Sequence, residues 1–65
     1  MPQSREVLDA VIISKLAIAM TAAQREAVAG ELRTWASDSR RHIADRAYVR
    51  GIAVFVQDLN HRVAA

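Results

Sequence analysis

The stretch ADRAYVRGIAVFVQDLNHRV, residues 44–63, decides the fold of this 65-residue chain. On a helical wheel its apolar side chains, together with Ile43, cover about two thirds of the circumference. A helix on the surface of a monomer needs an apolar stripe only roughly 100° wide to meet its core. So wide an apolar arc predicts a helix that is covered from more than one side. The remainder of the wheel is a narrow polar strip, formed by Asn60, Arg46, Gln57, Arg50 and His61.

The size and composition of the chain favour one small helical domain, spanning residues 1–65, that associates with another chain. Apolar residues make up 52% of the sequence, and the two glycines and single proline leave few helix breakers. A domain this small buries only about 60% of the surface that its unfolded chain exposes. Its usual supports are disulfides, a metal or oligomerisation. The sequence contains no cysteine, which excludes disulfides and thiolate ligands and gives oligomerisation more weight.

Three helices are predicted, over residues 4–20, 22–36 and 40–62, so the fold class is all-α with a long C-terminal helix. Ser4 is the predicted N-cap of the first helix. The apolar side chains of this helix point in nearly every direction on the wheel, which is typical of a buried helix. It therefore needs covering as much as the third helix does.

Local signals mark the ends of the second helix. Thr21 followed three residues later by Gln24 matches a capping box, which predicts that the helix starts there. Gly30 falls on a face of small residues, which suggests the close approach of another helix. The polar residues 37–39 compete for backbone hydrogen bonds and predict a break, with one of them capping the third helix. An unbroken helix from Thr21 onward is the alternative.

The third helix also carries the predicted interface between two copies of the chain. We expect an intertwined homodimer, in which the first and third helices are covered by those of the mate around a two-fold axis beside Gly51. Small residues would allow the close approach, and larger residues at helical spacing would form the seam. The predicted interface residues are Ala44, Ala47, Tyr48, Gly51, Ile52, Phe55 and Leu59.

Signals for catalysis and for metal or cofactor binding are weak. His42 and His61 each have an aspartate at helical spacing, which is one requirement for a metal or acid–base site. Exposed ion pairs explain the same pattern. Paired carboxylates, a glycine-rich phosphate loop and a nucleophile elbow are all missing from the sequence. We therefore predict no enzyme activity, no metal and no cofactor.

The basic residues give the remaining functional hypotheses. Eight of the nine cations are arginine, a bias that high genomic GC content also produces, and residues 39–65 carry a net charge of +3. We predict a small interaction protein, such as an inhibitor, adaptor or assembly factor, that binds a larger and possibly acidic protein. Its contacts would be Arg46, Arg50, Gln57 and His61, with Trp35 as an anchor. The alternative is a dimeric DNA-binding regulator that uses Arg40, Arg41, Arg46 and Arg50 on phosphates. A strip that is merely solvated is the third interpretation.

A membrane role is not expected. The apolar segment 10–20 is too short to cross a bilayer, which takes about 20 apolar residues. It contains Lys15, and Glu6 and Asp9 stand before it where a secretory signal would be basic. A cytoplasmic location suits a small domain without cysteine.

Overall fold

The computed structural model describes residues 5–63, and the regular structure within them is entirely helical. Helix α1 spans Arg5–Ala19, α2 spans Ala22–Ala36 and α3 spans Ile43–Val63. The prediction of an all-α fold with three helices, the third the longest, is confirmed. Ser4, the predicted cap of α1, lies outside the described residues.

Helix α2 begins at the predicted capping box. The Thr21 hydroxyl oxygen accepts from the backbone N–H of Gln24 at 3.1 Å, and the Gln24 side-chain oxygen accepts from the backbone N–H of Thr21 at 2.8 Å. This reciprocal pair satisfies two donors that would otherwise lack a partner at the helix start. The bounds of α2 therefore match the prediction from sequence.

The connection between α2 and α3 corrects two expectations. Residues 37–39 do lie outside both helices, so the alternative of one unbroken helix is wrong. None of the three caps α3, however, because the hydroxyl of Ser37 donates back to the last turn of α2 and the carboxylate of Asp38 accepts from the backbone N–H of Arg40. Helix α3 begins three residues later than predicted, after His42, whose Nδ1 accepts from a backbone N–H in the first turn at 3.1 Å.

Helices α2 and α3 form an antiparallel hairpin, and α1 lies against α3 over a short stretch. The hairpin is antiparallel because the start of α2, at Ala22, meets the end of α3, at Asn60, while Ala36 meets Arg46. Its core contains small side chains. The buried apolar residues of the described part of the chain are Ala17, Ala29, Ala36, Ala53 and Val56.

The chain is more extended than its length requires. It measures 35 × 35 × 15 Å, and its radius of gyration is 12.6 Å, against about 11 Å for a compact domain of this length. Its accessible surface is 5017 Å², against about 4,100 Å² for a folded monomer of this mass. Most of the larger apolar side chains have therefore not found cover within the subunit.

Candidate interaction surface

Large apolar side chains are exposed on the two helices that the sequence predicts to be buried. Ten of them within residues 5–63 have exposed fractions of 40% or more. Six lie on α1 and four on α3. They are Val7, Leu8, Val11, Ile12, Leu16, Ile18, Ile43, Tyr48, Val54 and Phe55. Together these side chains form a candidate interaction surface.

An apolar groove runs between α1 and α3. Its volume is about 400 Å³, and its lining is Glu6, Ala10, Ile13, Ala47, Tyr48, Gly51, Ile52 and Phe55. Phe55 and Ala10 also border a second depression, on the other side of α1, with a volume of about 460 Å³. Glu6 is the one charged residue in the lining of the apolar groove. The groove is thus suited to aliphatic side chains.

Tyr48 stands at the rim of the apolar groove. Its hydroxyl donates to the carboxylate of Asp9 at 3.5 Å, which joins α3 to α1. Partial removal from water raises the pKa of Tyr48 above its ordinary value, and the negative charges of Asp9 and Glu6 raise it further. All three effects disfavour the phenolate, so Tyr48 stays neutral and donates a hydrogen bond.

The predicted interface residues lie on or beside this groove. Five of the seven are exposed, namely Ala44, Ala47, Tyr48, Gly51 and Phe55, whereas Ile52 and Leu59 are half-buried. A Cβ built on Gly51 meets no atom within 4 Å, so nothing inside the subunit approaches it closely. The same is true of Gly30. The predicted close approach of a helix at Gly30 is therefore wrong within the subunit.

The polar strip of α3 lies along α2, although Arg50 and His61 within it are exposed. Arg46 Nε donates to the carbonyl oxygen of Ala36 at 2.7 Å, and Arg50 Nη2 donates to the same oxygen at 3.2 Å. Gln57 accepts from Arg33 at 2.7 Å. These bonds join the two helices of the hairpin.

A buried arginine, Arg25, links all three helices, although it belongs to no sequence motif. It is 6% exposed. Its Nη1 donates to the carbonyl oxygens of Ala17 and Met20, at 2.9 and 2.7 Å, and its Nε donates to Asn60 Oδ1. The carbonyl oxygens at the end of α1 carry the negative pole of that helix, which stabilises the buried cation. A charged residue on the alanine face of α2, with Ala29 one turn later, was the available signal.

Asn60 completes this network on the side of α2. Its amide donates to the carbonyl oxygen of Ala22 at 3.0 Å and to the carboxylate of Glu26 at 3.1 Å. Of the polar strip, His61 is thus the member for which the structure shows no hydrogen bond to α2 within the described residues, and it is exposed.

The other predicted arginines, Arg40 and Arg41, and the predicted anchor Trp35 make contacts in and beside the loop between α2 and α3. The guanidinium of Arg41 lies 4.0 Å from the centre of the Trp35 ring, so one face of the predicted anchor is already covered. Arg40 pairs with Asp38 at 2.9 Å, although its own side chain is 88% exposed. Hydrogen bonds from Arg40 lower the pKa of Asp38. Arg46 and Arg50 bond to Ala36, while Arg40, Arg41 and Arg50 are exposed.

Neither a metal site nor a membrane span is found in the described part of the chain. Among residues 5–63, no three histidine, aspartate or glutamate side chains are grouped so as to hold a metal ion. No helix in that range has the length and hydropathy required to cross a bilayer. Comparisons with protein-family models, with curated proteins and with solved structures each found no match for this chain.

Proposed function

We propose that this protein is a non-enzymatic interaction module that works as a helical homodimer and binds a larger protein. The observation that carries the proposal is the exposed apolar surface of α1 and α3. Helix α1 has apolar residues around most of its circumference, yet Leu8, Ile12 and Leu16 are 48%, 56% and 63% exposed. A helix with this pattern is stable when it is covered on several sides. A second chain supplies the missing cover.

The amount of exposed surface matches one standard interface. The chain exposes about 900 Å² more than a folded monomer of its mass. A standard protein–protein interface buries about 800 Å² on each partner. The surplus of the chain is therefore comparable in size with the area that one further chain would cover. Another copy is favoured because an isologous contact covers the same apolar face on both subunits at once.

Variants of α1 test this proposal. Replacing Leu8 and Ile12, which are about half exposed in the subunit, with glutamine should keep the helical content measured by circular dichroism while the mass in solution falls to that of a monomer. The matched control replaces Ala23 and Ala27, which are exposed on α2, with glutamine. A dimer that survives the α1 substitutions would contradict the proposal.

The polar surface left by the dimer would meet the larger protein. Arg50 and His61, from the predicted contacts, are exposed, and Arg40, in the loop before α3, has a side chain that is 88% exposed. This positive charge suits an acidic partner, to which arginine binds through its fork of donors. Because the protein lacks cysteine and would be stabilised by association, a cytoplasmic setting fits this role.

A binding comparison separates the acidic-protein partner from the nucleic-acid alternative. Polyglutamate and duplex DNA are offered as probes at low salt, to the wild type and to the Arg40→Gln variant. We expect polyglutamate to bind more tightly than DNA and the variant to bind it less well. Tight DNA binding that weakens steeply with salt would favour the regulator instead.

A further inference from the structure

We propose that α1 is a hinged arm, which opens from the α2–α3 hairpin as a separate unit while the hairpin stays folded. The hinge lies at Met20 and Thr21, between the end of α1 and the start of α2. Opening of this kind takes place within one chain and does not require a second copy, so it goes beyond the proposed function. It assigns a movement to the helix on which six of the ten exposed large apolar side chains lie.

Helix α1 is held on the hairpin by a narrow line of side chains. Its less exposed residues recur at helical spacing, at Asp9, Ile13 and Ala17, with Ser14 beside them and Met20 after them. Ala17, which has only a methyl group to bury, is the one fully buried residue of α1. The hairpin holds the other four buried apolar residues of the described chain. Segments that bury so few apolar contacts open locally at a lower free energy than the rest of a fold.

The two ends of α1 are fastened to the hairpin unequally. At the C-terminal end, Arg25 donates to the carbonyl oxygens of Ala17 and Met20 at 2.9 and 2.7 Å, and a charged donor makes the stronger kind of hydrogen bond. Nearer the N-terminal end, the Tyr48 hydroxyl donates to Asp9 at 3.5 Å, against about 2.7–2.8 Å for the usual bond between two oxygens. The movement therefore starts at the N-terminal end and turns about the end that Arg25 holds.

Opening costs α1 its helix as well as its contacts. Helix α1 has 15 residues, and isolated helices shorter than about 12–15 residues are only marginally stable in water. The backbone amides of the open arm therefore lose their protection from exchange, whereas α2 and α3 keep theirs because they support each other. Opening also uncovers residues of α3 that line the apolar groove, among them Tyr48, Ile52 and Phe55.

Amide hydrogen exchange of the whole protein, followed by NMR, tests the separate opening. In the wild type, the amides of α1 should exchange at least about tenfold faster than those of residues 53–56 in α3. Ile13→Ala shortens a half-buried side chain on the docked line and should speed exchange in α1 by about a further fivefold, with residues 53–56 unchanged. The matched control, Leu32→Ala, shortens a half-buried side chain on α2 and should speed exchange in the hairpin but not in α1.

The outcomes separate the hinged arm from the proposed homodimer. If Ile13→Ala speeds exchange in α1 and in residues 53–56 by the same factor, the three helices open as one unit and the hinged arm is wrong. Equal exchange of α1 and residues 53–56 in the wild type would overturn it as well. Light scattering on the same samples tests the homodimer. A monomer whose α1 opens first would contradict the homodimer alone, and a dimer with equal exchange in α1 and α3 would contradict the hinged arm alone.

Discussion

Arginine side chains donate hydrogen bonds to carbonyl oxygens at the C-terminal ends of two of the three helices. Arg25 binds the carbonyl oxygens of Ala17, in the last turn of α1, and of Met20, directly after it, and Arg46 and Arg50 bind that of Ala36 in α2. Many helices end instead on a glycine with positive φ. None of the described residues has such a φ. The planar guanidinium, with several donors, suits this task. Three of the eight arginines thus have a structural purpose that codon bias does not explain.

Replacement of Arg25 should be among the most destabilising single changes. Arg25→Met keeps the aliphatic stem but removes the donor to Asn60 Oδ1 and to the carbonyl oxygen of Met20, and it leaves the Ala17 oxygen with only the backbone N–H of Met20. We expect a loss of about 2–3 kcal/mol in the free energy of unfolding, measured by urea denaturation. The control, Arg33→Met, removes an exposed arginine with one hydrogen bond and should cost less than about 0.5 kcal/mol. Equal effects of the two variants would refute the assigned role of Arg25.

The ionisation of Tyr48 reports on the apolar groove, and it is the single tyrosine of the chain. Its folded pKa is raised above 10.0, so the neutral phenol stabilises the fold below the pKa of the unfolded chain. This contribution is lost as pH rises through the folded pKa. Ultraviolet absorbance of the phenolate should show the raised pKa, and Asp9→Asn should lower it. An unchanged pKa in that variant would contradict the contact between Asp9 and Tyr48.

At the scale of elements, the sequence predicted the helices but not their orientation. The ends of α2 were predictable because the capping box at Thr21 and the polar residues 37–39 are local signals. The direction in which the polar strip of α3 faces was not predictable, because a helical wheel does not show which element lies opposite a face. Helix α2 offers it backbone carbonyl oxygens and the polar side chains of Glu26 and Arg33. The strip therefore meets α2, and much of the wide apolar arc, Tyr48, Val54 and Phe55 among it, stays exposed.

The two arginines that bind Ala36 should differ in importance for the hairpin. Arg46 is half-buried and donates at 2.7 Å, whereas Arg50 is exposed and donates at 3.2 Å. Arg46→Met should therefore cost about 1–2 kcal/mol in the free energy of unfolding and Arg50→Met about half as much. Thermal or urea denaturation measures both. The reverse order would show that the cap of α2 depends on Arg50.

In the subunit as a whole, the buried side chains are mainly alanines together with Arg25 and Val56, and ten large apolar side chains are exposed. Alanines and the bonds of Arg25 and Asn60 hold the three helices together, while α1 and α3 border an open groove. The apolar composition and short length already indicated that the chain needs a partner. The candidate interface was largely predictable for the same reason, since Gly51 and its neighbours follow helical spacing. The contacts of the arginines were not predictable, because they depend on how the helices pack in the tertiary structure.

The mass of the protein in solution tests the central claim, that one copy of the chain leaves a face which a second copy covers. Size-exclusion chromatography with light scattering, at micromolar concentration, should give a single species of twice the 7.2 kDa mass of the chain. On dilution, this dimer should dissociate into monomers only at concentrations far below the micromolar range. A monodisperse species of 7.2 kDa at micromolar concentration would contradict the account.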